Sequence, residues 1–363
     1  MFTSRDFGMS PCVALLATLF LCPPAHSAAE LDRAALMSLS VSLVKVEAAD
    51  AEGRAWIGTG VIVGPERVVT SCHVTRRGES VYIQYHAARQ LASAQSADTE
   101  HDLCLLVVPG LVALPARLGA AGALAVGQPV WALGYEGGFA LQARAGVVRA
   151  LHAYDGGYVV ESTTAFTSGA SGGALFDATG RLVAILTYRL RGDRRSYFSV
   201  PVEWFAPRLS SEHAYAAIGP LDGALAFWQR PQEGLPFFLR AHQLETGRDW
   251  TGLRSLADDW CKAESSNAEA WLFRGKSLAE TQDVAAARSA FRHAVALDPL
   301  SSAAWLELGR LSVQDGSIEE AEDALFQLSH LNPELAHCLA SELRPKQPLA
   351  QPENPALDAC SAI

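Results

Sequence analysis

Short apolar runs separated by turn residues occupy the chain from Val41 to about Pro201. Roughly eleven such runs, joined by turn sequences such as YDGG and DATG, are typical of an all-β barrel or sandwich. Past Phe205, Pro and Gly become frequent, and a helical periodicity rich in Ala and Leu follows. We therefore expect a β domain at residues 30–205, a linker at 206–235 and a helical region at 236–335.

The helical region contains an internal repeat. Residue pairs recur at a spacing of 34 positions: Trp271 and Trp305, Gly275 and Gly309, Ala287 and Ala321, Ala290 and Ala324, Leu297 and Leu331, and Pro299 and Pro333. This period and residue order resembles the tetratricopeptide repeat, in which small residues let two helices approach closely. A less regular copy has Phe237, Ala241, Leu244, Leu253, Ala257 and Trp260 in the matching positions. We expect an all-α solenoid of about three repeats, followed by a Pro-rich flexible tail at 336–363.

The N-terminal segment has the order of a secretory signal. Arg5 lies in a short polar start, residues 13–21 form an apolar run, and Ala25 and Ser27 are small residues before a cleavage point. The run is far shorter than the ~20 residues of a membrane span, and no later run is long enough to be one. We expect residues 1–27 to be a signal peptide that exports the protein to the bacterial periplasm or the extracellular space. A buried or interfacial apolar helix is the alternative.

Charge narrows the range of partners. The 363 residues are 49% hydrophobic and carry a formal net charge of −10, so they lack the basic surface that nucleic-acid binding requires. Residues 236–335 hold 16 acidic and 9 basic side chains. A protein partner bound in the repeat groove would therefore be neutral or basic. The alternative is that the repeats only stabilise or space the β domain.

Three short motifs contain the residue types of a serine nucleophile and its helpers. A serine hydroxyl needs a base, an acid that orients the base, and donors for the oxyanion. His73 follows an apolar run in VVTSCHV, Asp102 precedes one in HDLCLL, and Ser171 lies among glycines in TSGASGGALF. The GASGG sequence also fits the nucleophile elbow of α/β-hydrolases, but an elbow precedes a helix and has its partners downstream. Here strands follow Ser171, and both partners lie upstream.

With these motifs, residues 41–205 resemble the trypsin/chymotrypsin-like serine proteases, and most closely the bacterial exported high-temperature-requirement type. The matching sequences are TSCHV, DLCLL and GASGGAL. The resemblance implies two six-stranded β-barrels with the site in the cleft between them. It also implies that His73 is the general base, that Asp102 orients and stabilises it, and that Ser171 forms the acyl-enzyme.

The resemblance extends to donors and to substrate contacts. It implies that the N–H groups of Gly169 and Ser171 form the oxyanion hole. Ala165 stands where cleavage after Lys or Arg would need an acid, so Ala165 and Phe166 fit a small or medium apolar substrate side chain. Ser199 would lie on the strand that pairs with substrate and would hydrogen-bond Asp102. The tetratricopeptide repeats follow the protease where related proteins have a peptide-binding PDZ domain.

The function expected from these features is that of an exported serine endopeptidase whose repeats recruit protein substrates or partners. The alternative is a catalytically silent or conditionally active protease fold that serves as a binding scaffold. We expect no cofactor and no metal site, since no Cys or His cluster has ligand spacing. Cys72 and Cys104 flank the two upstream residues of the motif set, and the sequence leaves open whether they form a disulfide or are buried thiols.

Overall fold

The structure is a computed structural model that describes residues 33–190, 196–210 and 215–343. The predicted signal peptide lies outside the described residues. A short helix, α1 (Arg33–Ser40), precedes the first strand. Within the described ranges, no helix is long and apolar enough to cross a membrane.

The first sheet is built from the strands that the apolar runs predict. Its strands are β1 (Leu43–Ala49), β2 (Ala55–Gly64), β3 (Arg67–Ser71), β4 (Ser80–Tyr85), β5 (Ala88–Leu91), β6 (Ala94–Asp98), β7 (Leu103–Val107) and β14 (Ala216–Ala217). Their order is β14-β6-β7-β3-β2-β1-β4-β5. This sheet has eight strands rather than the expected six. The two extra strands lie at the edges, where β5 pairs with β4 and the later β14 pairs with β6.

The second sheet closes on itself as the expected six-stranded barrel, in the order β10-β13-β12-β11-β8-β9. Its strands are β8 (Pro129–Glu136), β9 (Ala140–Tyr154), β10 (Gly157–Ser162), β11 (Ala174–Asp177), β12 (Leu182–Leu190) and β13 (Ser196–Pro201). Closure leaves no long free edge and encloses a dense apolar core. The short helix α2 (Cys72–Thr75) lies at the end of β3 in the first sheet.

Helices make up the region that the 34-residue period marks. They are α3 (Phe237–Thr246), α4 (Trp250–Ala263), α5 (Ala268–Glu280), α6 (Val284–Leu297), α7 (Ser302–Asp315), α8 (Ile318–Leu331) and α9 (Pro333–Leu343). The tail expected to be flexible from residue 336 is helical as far as Leu343, because Leu335 and Leu339 are buried against α7 and α8. Residues 344–363 lie outside the described residues.

Equivalent residues of the repeats have equivalent contacts. The indole N–H of Trp271 donates to the Ser265 carbonyl at 2.9 Å, and that of Trp305 donates to the Pro299 carbonyl at 2.9 Å. A Cβ on Gly275 would collide with the Phe291 ring, so glycine is what allows α5 and α6 to pack this closely.

The repeats and the barrel share one apolar core. Phe238 of α3 stacks on His152 of β9 with ring centroids 4.6 Å apart, and α5 contributes Glu269, whose Oε1 lies 2.6 Å from His152 Nδ1. The connection between them, residues 206–235, is expected to be a linker, yet β14 pairs with β6 and Phe227 is fully buried. This connection is therefore packed against the β domain along much of its length.

Candidate active site

His73 and Asp102 lie at adjacent ends of two paired strands. Ser71, the last residue of β3, pairs with Leu103, the first residue of β7, so the residues just beyond these ends are neighbours. The His73 backbone N–H donates to Asp102 Oδ1 at 2.7 Å, and His73 Nδ1 lies 2.6 Å from Asp102 Oδ2. The carboxylate thus holds both the backbone and the ring of His73, which fixes the ring plane and leaves Nε2 free to face a substrate.

Asp102 adopts a backbone conformation suited to this role. Its φ of 61° lies in the left-handed region, which Asp tolerates better than most residues. Its carbonyl accepts a hydrogen bond from the Cys72 N–H at 3.0 Å, and the residue is only 1% exposed. Because the carboxylate is shielded from water, its interaction with His73 is stronger than it would be at a surface.

Opposing effects act on the pKa of His73. Burial disfavours the charged imidazolium and so lowers the pKa, whereas the charge of Asp102 and the hydrogen bond to it raise the pKa. The net result is a pKa above the ordinary 6.5 of histidine. His73 is therefore a stronger base than a free imidazole, as a group that accepts a hydroxyl proton should be.

A disulfide joins Cys72 to Cys104, which answers the question that the sequence leaves open. Cys72 directly precedes His73, and Cys104 is the second residue of β7, which begins directly after Asp102. The bridge therefore ties α2 to β7 next to the His73–Asp102 pair and limits their separation.

Ser171 lies in the loop between β10 and β11, on the other side of the cleft. Its carbonyl accepts a hydrogen bond from the Thr59 N–H of the first sheet at 2.8 Å. Gly58 has no side chain, and a Cβ there would meet both Val74 and the Ser171 carbonyl. Since Val74 directly follows His73, these contacts bring the Ser171 loop next to the His73 helix.

The Ser171 hydroxyl points toward β12 of the closed barrel. Oγ donates to the Thr187 carbonyl of β12 at 3.4 Å and has no hydrogen bond to His73. A serine side chain moves between three staggered rotamers at low cost. Rotation about the Cα–Cβ bond would redirect Oγ within the cleft without any change in the loop.

Glycines on both sides of Ser171 shape the backbone of this loop. The φ values are 91° at Gly169 and 83° at Gly172, a region that only glycine enters freely. A Cβ would collide with a backbone carbonyl at Gly169, Gly172 and Gly173, namely those of Tyr135, Thr59 and Leu133, respectively. Alanine at any of these positions would require the loop to move.

Two backbone donors of this loop are available to a ligand. The Ser168 carbonyl accepts from the Gly137 N–H at 2.7 Å, and the N–H of a trans peptide points opposite to its C=O. The Gly169 N–H therefore faces away from Gly137. In the described part of the chain, neither the Gly169 N–H nor the Ser171 N–H donates to another protein group. Both N–H groups are therefore free to donate to a ligand.

The residues expected to contact substrate lie in different settings. Ala165 is exposed at the start of the Ser171 loop. Phe166 is 3% exposed and packs on Tyr197 with ring centroids 5.3 Å apart, so it is a barrel core residue and offers almost no surface to a substrate. The expectation that Phe166 shapes a substrate pocket is therefore corrected.

The expectation that Ser199 lies on the substrate-pairing strand is also wrong. It is fully buried on β13 and pairs with Val160 of β10 on one side and with Leu186 of β12 on the other. A strand paired on both sides has no free backbone groups for a substrate. Its Oγ has no hydrogen-bond partner in the described residues, so the expected bond to Asp102 is absent.

The free strand edge belongs instead to β12. Its pairing with β11 extends only to Ile185, and beyond Leu186 the strand keeps β13 on one side alone. The register with β13 shifts between Leu186 and Tyr188, so Thr187 lies in a β-bulge that turns its carbonyl toward Ser171. The sequence does not reveal this edge, because the run RLVAILTYRL has no signal of a bulge.

Thr59 is a second site residue that the sequence does not single out. Its Oγ1 donates to the Gly169 carbonyl at 2.8 Å and accepts from the Tyr135 N–H at 2.8 Å, which fixes the loop against both sheets. A signal was available, because Thr59 is a polar residue within the apolar strand WIGTGVIVG. Among the described residues, no group of three or more His, Cys, Asp or Glu is placed to hold a metal ion.

Comparisons with known proteins identify two parts of the chain. Residues 58–185 match the family described as trypsin-like peptidase domain, and residues 253–301 and 274–334 match the tetratricopeptide repeat. A probable periplasmic serine endoprotease, DegP-like, from Ectopseudomonas mendocina is 31% identical over 156 residues, which are 40% of this chain and 33% of that protein. The chain thus spans about a third of the length of this curated relative.

Solved structures of the same kind are more distant. The HtrA-type protease AlgW with a tripeptide is 22% identical, with a TM-score of 0.46 over 49% of this chain and 63% of that chain. The active form of the Rv3671c protease from M. tuberculosis is 24% identical, with a TM-score of 0.46 over 53% of this chain and 88% of that chain. On the family matches, this chain joins a trypsin-like peptidase domain to C-terminal tetratricopeptide repeats.

Proposed function

We propose that this protein is an exported serine endopeptidase that hydrolyses peptide bonds in protein substrates. The observation that carries the proposal is the buried Asp102 carboxylate, which holds both the backbone and the ring of His73 beside the Ser171 loop. The match to the trypsin-like peptidase domain and the serine endoprotease name of the curated relative support it.

Each group has a defined chemical task in this proposal. Ser171 Oγ attacks the substrate carbonyl and passes its proton to His73 Nε2, and the N–H groups of Gly169 and Ser171 stabilise the oxyanion. His73 then protonates the leaving amine, and the acyl group stays on Ser171. A water molecule, deprotonated by His73, attacks the acyl-enzyme. The bond to Ser171 Oγ then breaks, His73 returns the proton to Oγ, and the carboxylic acid product leaves. Asp102 stabilises the imidazolium in both steps.

One observation favours the alternative of conditional activity. Ser171 Oγ is bonded to the Thr187 carbonyl rather than to His73, so the hydroxyl must rotate before it can transfer its proton. A peptide bound along the free edge of β12 would compete with the Ser171 hydroxyl for the Thr187 carbonyl, and loss of that hydrogen bond would favour the rotation. Such a rotation takes only picoseconds to nanoseconds, so it adds no lag to hydrolysis. A conditional enzyme should instead cleave extended peptides that pair with β12 and react little with a small ester that cannot pair with it, whereas a constitutive enzyme should cleave both.

Hydrolysis of a fluorescent unfolded protein such as labelled casein tests the proposed activity. Wild-type protein should cleave it, and Ser171→Ala or His73→Ala should reduce kcat/KM by about 10³-fold or more. The exposed neighbour Ser168 provides the matched control, since Ser168→Ala removes a hydroxyl from the same loop and should change the rate by less than about 2-fold. Cleavage by Ser171→Ala at the wild-type rate would exclude the proposed mechanism.

We also propose that the protein is exported. The sequence order of residues 1–27 and the periplasmic name of the curated relative support this location, and the Cys72–Cys104 disulfide suits an oxidising compartment. Fractionation of the producing cells should recover the protein outside the cytoplasm with residue 28 as its first residue. Recovery of the uncut chain in the cytoplasm would contradict export.

For the repeats we propose recruitment of neutral or basic protein segments, because 16 acidic and 9 basic side chains occupy residues 236–335. Recruitment through charge weakens as salt screens the interaction. Added salt should therefore raise KM for a basic protein substrate and leave KM for a short neutral peptide unchanged. Equal salt effects on both substrates would mean that the repeats do not recruit by charge.

A further inference from the structure

A tryptophan from outside both predicted domains lies beside His73. The ring of Trp228 meets the His73 ring edge-on, with centroids 5.6 Å apart, and stacks on Tyr188 of β12 with centroids 5.1 Å apart. Trp228 belongs to the connection between barrel and repeats, which the peptidase-domain match at residues 58–185 does not reach. None of the catalytic steps above uses it.

The chain on both sides of Trp228 is held in place by hydrogen bonds and an ion pair. The N–H of the preceding Phe227 donates to the Glu100 carbonyl at 2.9 Å, and Arg230 forms an ion pair with the Glu100 side chain at 2.5 Å. Upstream, Arg76 donates to the carbonyls of Gly223 and Ala224 at 2.9 and 3.2 Å. Trp228 is therefore part of a segment fastened to the His73 side of the cleft.

Trp228 also covers Tyr188, so the indole forms the surface next to His73. Tyr188 is 5% exposed, because Phe198 covers one face of its ring at 4.7 Å and Trp228 stacks on the ring at 5.1 Å. A substrate side chain directed toward His73 thus meets the indole rather than Tyr188. The Trp228 side chain is itself only partly buried.

The path of a substrate follows from the free edge of β12. A peptide that pairs with this edge is extended, and successive side chains of an extended peptide point to opposite faces. If the residue whose carbonyl is cleaved points its side chain toward the Ser171 loop, the residue directly before it points to the opposite side. That side carries His73 and Trp228. We call the residue directly before the cleaved one the penultimate residue.

We propose that Trp228 is a specificity-determining residue that limits the penultimate substrate residue to a small side chain. The inference rests on the proposed peptidase function and deepens it. The indole fills the space that a large penultimate side chain would need, and its stacking on Tyr188 keeps it from moving aside. A clash of this kind changes kcat/KM by roughly 10-fold to 200-fold per substrate group.

Matched peptides that differ only at the penultimate residue test the proposal. Wild type should hydrolyse peptides with Gly or Ala at this position about 10-fold faster, in kcat/KM, than peptides with Leu or Phe. In Trp228→Ala this ratio should fall below about 3-fold, through a gain for the large residues, and Trp228→Phe should lie between. Trp305→Ala, the same change at a half-buried tryptophan of α7, should keep the wild-type ratio.

The possible results separate this inference from the proposed function. A ratio in Trp228→Ala equal to that of wild type would overturn the role of Trp228 while the enzyme remains a peptidase. An equal gain for every peptide would also overturn it, since the indole would then close the cleft rather than select. If neither protein hydrolyses any peptide nor reacts with a fluorophosphonate, the peptidase function itself fails, and this inference fails with it.

Discussion

Asp102 acts on His73 in two ways that mutation can separate from each other. It orients the ring through the 2.6 Å contact to Nδ1, and its charge raises the pKa of His73 against the effect of burial. Asparagine keeps the size of the side chain but removes the charge. Asp102→Asn should therefore lower the maximal rate and also shift the acid limb of the pH profile.

For Asp102→Asn we expect a loss of about 10⁴-fold in kcat. His73 must be neutral to accept the serine proton, so activity rises with pH through its pKa. Because that pKa lies above 6.5 in the wild type and loses the support of Asp102 in the variant, the acid limb of kcat/KM should move to lower pH. The residual activity of the variant, measured from pH 5 to 9, checks the shift, and an unchanged limb would show that Asp102 does not act by charge.

Gly169 allows a direct test of the backbone donors. In Gly169→Ala the new Cβ collides with the Tyr135 carbonyl at a φ of 91°, so the N–H must turn away and kcat should fall about 10²–10³-fold. Gly156→Ala is the control, because its φ of 71° imposes similar strain but the Cβ enters open space. Equal kcat values for the two variants would argue against a role of the Gly169 N–H.

Individual residues differ in how far the sequence predicts them. His73, Asp102 and Ser171 stand in local motifs whose chemistry can be read directly. Thr187 and Trp228 cannot be found this way, because a bulge and the return of the chain over the cleft bring them there. Ser199 was misassigned since pairing on both sides of β13 is a property of the closed barrel.

At the level of elements, a disulfide joins α2 to β7 next to His73 and Asp102, the pair that we propose to be catalytic. Cys72 and Cys104 are separated by 32 positions, and such a link removes conformational freedom mainly from the unfolded chain. Replacing both by alanine should lower the free energy of unfolding by about 2–4 kcal/mol. Denaturant unfolding with and without a reductant checks this.

The control for this experiment is the free cysteine Cys261, which is buried in α4. Cys261→Ala also removes a buried sulfur, but the stability of this variant should still fall when reductant is added, as that of wild type does. The double variant should lose less stability on addition of reductant than wild type does, although some response remains because Cys338 is disulfide-bonded as well. A wild type equally stable under both conditions would show that the bridge contributes nothing to stability.

The sequence predicts most strands and helices, but it predicts less well where the helical region ends and which strands are added at the edges of the sheet. The apolar runs predict the β strands, and the 34-residue period predicts paired helices because both patterns are local. The extra edge strand β14 and the helical start of the tail depend on distant partners, namely β6 for the former and α7 with α8 for the latter. No local pattern encodes these partners.

In the whole molecule, the barrel and the repeats are joined by a buried charge cluster. His152 of β9 lies 3.2 Å from Glu161 of β10 and 2.6 Å from Glu269 of α5. Burial lowers the pKa of His152, but the two carboxylates outweigh it and raise the pKa to about 10. For the Glu161 carboxyl group, burial raises the pKa. The hydrogen bond to His152 and the positive charge of His152 outweigh this effect and lower the pKa of Glu161 to about 2.

These shifts set the pH range over which the cluster stabilises the fold. The folded pKa of His152 is raised, so its contribution is complete below its unfolded pKa of 6.5 and is lost as the pH rises through about 10. The folded pKa of Glu161 is depressed, so its contribution is complete above 4.5 and is lost as the pH falls through about 2. The full effect is therefore expected between pH 4.5 and 6.5.

Glu269→Gln should weaken the junction by about 1–3 kcal/mol, since it removes one of the two charges that balance the buried imidazolium. The difference from wild type, measured by thermal unfolding, should be largest near pH 5–6.5 and shrink toward pH 10. Glu280→Gln, an exposed position on the same helix, is the control and should stay within about 0.5 kcal/mol of wild type. A difference that does not vary with pH would contradict the charged cluster.

The sequence could predict two kinds of domain but not how they are joined. Removing the chain beyond residue 210 would delete not only the repeats but also β14, Phe227 and Trp228, which pack on the β domain. Loss of activity after such a truncation would therefore say little about recruitment. The salt dependence of KM tests recruitment without this problem, because the chain stays intact.

The central claim is that Ser171 is a nucleophile activated by His73. Treatment of the purified protein with a fluorophosphonate, followed by mass spectrometry of its peptides, tests this most directly. We predict a single adduct on Ser171 that is lost in His73→Ala and retained in Ser168→Ala. An adduct on another serine, or labelling of Ser171 that is independent of His73, would contradict the account.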